Sequence, residues 1–108
     1  MMHEPPVWLM VLITRDHAGD TAAIASVFSG RGIQIDSFIG FGSNPQASGE
    51  PQGRIMITFH AFADRCRTLC RVLVSLEAVA EVRCFAEHEI PAELAARTAA
   101  VKQLLATM

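Results

Sequence analysis

Residues Val7 to Ile13 read VWLMVLI, seven apolar side chains without a polar break. A strand with one wet face alternates, so an unbroken, partly β-branched run predicts a strand covered on both faces, inside a sheet. It is the longest apolar run in the chain, and it falls well short of the roughly 20 residues that cross a bilayer. A chain built around such a strand must supply apolar cover to both of its sides.

The segments that follow supply that cover. Thr14 to Asp20 (TRDHAGD) is a polar turn with a glycine, and Thr21 to Ser29 carries Ile24, Val27 and Phe28 at helical spacing. Asp20 or Thr21 is placed to cap this helix, and Gly30-Arg31-Gly32 to end it with a left-handed glycine. Ile33 to Phe41 predicts a second strand. Arg54 to Ala61 predicts a third, with Ile55, Ile57, Phe59 and Ala61 on one face and Met56, Thr58 and His60 on the other. Between them, Ser43 to Gly53 (SNPQASGEPQG) is a long connection for neighbouring antiparallel strands and reads as a flexible loop. Asp64 is placed to cap a second helix, on which Cys66, Leu69, Cys70, Leu73 and Leu76 share a face. Ala78 to Glu87 predicts a fourth strand, with Ala80, Val82 and Cys84 inward. Pro91 to Met108 favours a last helix, with a stripe of Leu94, Thr98, Val101 and Leu105 that packs on the sheet, on a second copy or on another protein.

Strand, helix, strand, strand, helix, strand is the split βαβ order. With right-handed crossovers it predicts an α+β, ferredoxin-like βαββαβ sandwich, a four-stranded antiparallel sheet with two helices on one face. Residues 1–88 make up this domain and residues 89–108 a C-terminal helical extension. The first strand then lies in the middle of the sheet, as its two apolar faces require.

The chain has 108 residues, enough for one domain. Apolar residues make up 51% and mean hydropathy is +0.31, which excludes disorder and suggests surface buried against a partner. Net charge is −2, and the eight arginines and one lysine are scattered, which argues against nucleic-acid binding. No membrane span and no basic leader segment is visible, and three cysteines form no disulfide framework, so a reduced, cytoplasmic setting is expected.

Few residues invite chemistry. Asp16 and His17 are an acid–base pair by composition, but neighbours in a tight turn seldom face one another, and no catalytic residue is assigned. The strand–glycine–helix junction offers a different use. Unpaired amides at the positive end of a helix dipole suit a carboxylate or phosphate, and Gly19 lets a ligand approach the backbone. Cys66, Cys70, Cys84 and His60 lack the CxxC knuckle usual in zinc sites and read as core packing, so neither a metal nor another cofactor is expected. Arg67 and Arg71, like charges one helical turn apart, read as a solvated face.

The stretch from Asp16 to Ile35 resembles the opening of an ACT domain, most closely that of the small, regulatory subunit of acetolactate synthase. Asp16 and Gly19 match the turn, Phe28 the end of the first helix, and Arg31-Gly32-Ile33-Gln34-Ile35 the run into strand two. The likeness spans about residues 7–87. It implies a regulatory module rather than an enzyme, one that pairs into a homodimer or larger assembly, binds an amino acid and docks on a catalytic subunit. A branched-chain amino acid is the expected ligand. By position, the ligand lies between Asp16, His17, Ala18, Gly19, Asp20 and Thr21 of one copy and Gln34 and Ile35 of the other. Thr21 stands where the family commonly has Leu, and Gln34 where it commonly has Asn; both favour the alternative, a ligand-free ferredoxin-like assembly subunit.

Overall fold

The computed structural model describes residues 4–43, 49 and 51–108. Its elements run β1 (Val7–Thr14), α1 (Asp20–Gly30), β2 (Ile35–Phe41), β3 (Gly53–His60), α2 (Ala63–Val74), β4 (Val79–Ala86) and α3 (Ala92–Ala106), with a 3₁₀ turn at Glu87–Glu89. The sheet order is β2-β3-β1-β4 and every pairing is antiparallel. β1 is central, and the predicted sandwich is the observed one.

Both sides of β1 are used. Met10 and Leu12 point to the helical layer, where they meet Ile24 and Phe28 of α1, Ile55, Ile57 and Phe59 of β3, and Cys66, Leu69 and Leu73 of α2. Phe28 and Phe59 cross edge to face at 5.2 Å, a geometry that aligns a ring's positive edge with its neighbour's negative face. Trp8, expected in the core or at an interface, packs against this cluster and its indole N–H donates to the Ala61 carbonyl at 2.7 Å. Leu9 faces the other way. It is buried there because α3 lies across that end of the sheet and forms, with Val7, Leu9 and Thr58, a cleft of about 340 Å³.

The end of α1 follows from its glycine. Gly32 adopts φ +67°, its amide bonds to the Ser29 carbonyl, and the Ile33 amide bonds to the Phe28 carbonyl. This is a Schellman closure, and its usual apolar contact is met by Ile33 and Phe28, both in the core.

Three local expectations are corrected. Neither Asp20 nor Thr21 caps α1: the cap is Gly19 at φ +89°, without a side-chain bond, because the Asp20 carboxylate folds back onto the turn. Asp64 lies inside the first turn of α2, and the cap is Phe62. Ala80 is exposed, because the β1–β4 register shifts between Ile13 and Thr14. This bulge turns Ala80 out and sets Val79 inward instead, while Val82 and Cys84 face the core as expected.

α3 rests on the sheet through its first half only. Leu94 and Thr98 are half-buried, whereas Val101 and Leu105 of the expected stripe are 49% and 57% exposed. Lys102 anchors the helix by pairing with Asp36 of β2, which also accepts from the Thr58 hydroxyl. Of the long connection predicted over Ser43 to Gly53, residues 44–48 and 50 lie outside the described residues.

Candidate functional site

The β1–α1 turn is held by internal bonds between its own residues and their neighbours. Asp16 takes φ +56°, unusual for a side-chain-bearing residue. Its Oδ2 accepts from the Ser43 amide at 2.9 Å and the Ser43 hydroxyl at 2.7 Å, which ties the turn to the end of β2. Those two donors hold the Asp16 carboxyl below the usual carboxylate range. Its Oδ1 has no donor among the described residues.

Asp20 is almost fully buried at the first position of α1. Its Oδ2 accepts from the His17 amide at 2.9 Å, and its Oδ1 faces the Arg15 guanidinium at 3.2 Å. The His17 amide first, and Arg15 after it, hold this carboxyl low. Asp20 is therefore neutralised from within the turn and does not present bare charge to a ligand. Among the described residues, the amides of Gly19, Thr21 and Ala22 have no hydrogen-bond partner. They are the free donors expected at a helix N-terminus.

Part of this turn borders a pocket of about 260 Å³. Asp16, His17, Asp20 and Thr21 form one wall. The other wall is Gly40, Phe41 and Gly42 at the end of β2 with Gly53 at the start of β3. Gly53 is required there: a Cβ on it would stand 2.7 Å from the Thr14 hydroxyl and 3.3 Å from Asp16 Oδ1. Sequence reasoning missed this second wall; its trace in the sequence is the set of glycines at 40, 42 and 53 flanking the long connection.

Gln34 and Ile35 are elsewhere. β2 runs antiparallel to β3, so Ile35 pairs with Phe59, while Phe41 pairs with Arg54 beside the turn. The start of β2 lies at the opposite end of the sheet from the Asp16–Thr21 turn. One chain does not bring the two halves of the expected site together.

No protein-family model and no curated protein matches the sequence. Solved structures match its shape. The ACT domain of a GTP pyrophosphokinase from Chlorobium tepidum superposes with a TM-score of 0.58 at 18% identity, over 75% of this chain and 99% of that one. The regulatory subunit of aspartate kinase from Thermus thermophilus does so at 0.57 and 20%, over 74% and 50%. The chain has an ACT-like fold. A homoserine dehydrogenase from Thiobacillus denitrificans also matches, at 0.59 and 18% over 75% of this chain, which spans only 17% of that enzyme. In this ACT-like frame the glycine turn of the pocket is the β1–α1 junction.

The three cysteines form a second cluster on the helical side. Cys84 Sγ lies 3.4 Å from Cys66 Sγ and 3.1 Å from Cys70 Sγ. Hydrogen bonding from Cys66 and then Cys84 draws the Cys70 thiol down to about 3, and the same sharing pushes Cys66 up to about 12 and Cys84 up as well. His60 is not part of this cluster: it is exposed, with its ring nitrogen near the Pro5 carbonyl.

Proposed function

We propose that the chain is a regulatory ACT-like module that binds a free amino acid and works as a pair. The observation that carries this reading is the β1–α1 turn, where Thr21, whose amide is unbonded among the described residues, and Asp16, whose Oδ1 has no donor among them, border one pocket. A ligand carboxylate would take the amides at the positive end of α1. Its ammonium would take Asp16 Oδ1, a charge-assisted bond. Gln34 and Ile35 of a second copy would close the site with an amide and an apolar wall. A branched-chain amino acid, and control of an acetolactate-synthase-like catalytic subunit, are the finer form of this proposal.

The second reading is an assembly subunit with no ligand. It is favoured by Asp16, a carboxylate that borders the pocket and repels an anion. A thermal-shift screen against the twenty amino acids at millimolar concentration separates the two. A ligand at 100 times its Kd stabilises by about 2.7 kcal/mol, which is a rise of several degrees in a domain of this size. A flat screen on the folded chain rejects the sensor reading and leaves assembly.

A further inference from the structure

We propose that Cys66, Cys70 and Cys84 form a trithiolate site for one soft, closed-shell metal ion, copper(I) or zinc(II). All three cysteines of the chain meet at one place, although they come from two elements. Cys66 and Cys70 stand one turn apart on α2, and Cys84 faces them from β4. Small apolar fillers have no reason to collect in this way; alanine or valine would fill the same space.

The spacing suits a metal. All three sulfurs lie within 4.8 Å of one another. An ion about 2.3 Å from each thiolate holds the sulfurs roughly 4 Å apart, so closing around it opens the nearest pair by less than about 1 Å. Cys66 is buried while Cys70 and Cys84 are half-buried, which gives the ion an entry path. Among the described residues no histidine or carboxylate joins the group. Copper(I) is satisfied by three sulfurs, and zinc would complete its shell with water from the half-exposed side. Thiolate donors select such ions over hard ones. On binding, each sulfur still protonated gives its proton to solvent as its S–metal bond forms, and no electron changes hands. The ion would clip α2 to the edge strand β4, away from the glycine turn, so this site stands whatever the turn binds.

The test is a titration of the reduced, oxygen-free chain with cadmium(II) as the probe. The site predicts a cadmium–thiolate charge-transfer band that stops growing at one equivalent, together with a rise in melting temperature. It also predicts loss of that one-equivalent endpoint in Cys70→Ser, a half-buried position chosen to spare the fold. Copper(I) or zinc(II) added afterwards should bleach the band, and whichever does so at lower concentration names the preferred ion. Absence of the band, an endpoint at half an equivalent, or an unchanged endpoint in Cys70→Ser overturns the proposal. If Cys70→Ser fails to fold, the wild-type endpoint and melting shift decide by themselves.

Discussion

Asp20 and Gly53 show how much of the glycine turn depends on single atoms. Because the native state holds the Asp20 carboxyl low, its contribution is complete above the ordinary carboxylate range near pH 3.9. It is lost as pH falls through the lowered native value. Asp20→Asn should therefore lower stability at neutral pH and flatten its fall in acid, read as denaturant midpoints between about pH 2 and 7. Gly53→Ala forces a methyl group onto the Thr14 hydroxyl. Overpacking of this kind costs about 1–3 kcal/mol, so its unfolding free energy should fall by that amount while a Gly30→Ala control, with open space at the Cβ position, stays near wild type. None of this could be read from sequence, because an Asp in a turn looks the same whether it caps the helix after it or folds back onto Arg15 and His17.

The elements were more legible. Apolar runs, periodicity and helix propensity together placed the four strands and three α-helices, and Ile55, Ile57, Phe59 and Ala61 are all buried as their alternation required. The signal failed where parity breaks: the bulge at Ala80 leaves no mark in composition, yet at the start of β4 it turns Val79 inward in place of Ala80. Phe28 joins the Schellman closure to the core, and Phe28→Ala should cost about 3–5 kcal/mol by denaturant unfolding. α3 behaves differently, because its stripe continues past the sheet it covers. Truncation after Ile90 should uncover Leu9 and the cleft beside it, lowering solubility and raising the fluorescence of an apolar-surface dye. If the truncated chain matches the full one in both, α3 gives the sheet no cover that matters.

At the scale of the whole molecule, α3 occupies part of the face opposite the helical layer, and β2 and β4 are the two edges of the sheet. Edge strands carry unpaired backbone groups and are the natural place for a second copy to add on. Light scattering at micromolar concentration should give at least a dimer, and a strict monomer would remove Gln34 and Ile35 from the amino-acid site. The candidate site was only half legible: the turn residues Asp16 to Thr21 are contiguous in sequence, whereas the facing wall of Gly40, Phe41, Gly42 and Gly53 comes together only through the pairing of β2 with β3. The position of β2 has one more consequence. Two copies joined antiparallel along β2 would set the start of each strand against the end of the other, so every pair would hold two sites closed by the other copy, while a lone chain keeps only the open pocket at its own turn. Occupancy would then follow the square of the chain's concentration as well as the level of the metabolite. On the proposed amino-acid reading, diluting the protein would lower its apparent affinity for the ligand, because binding would then have to drive pairing as well.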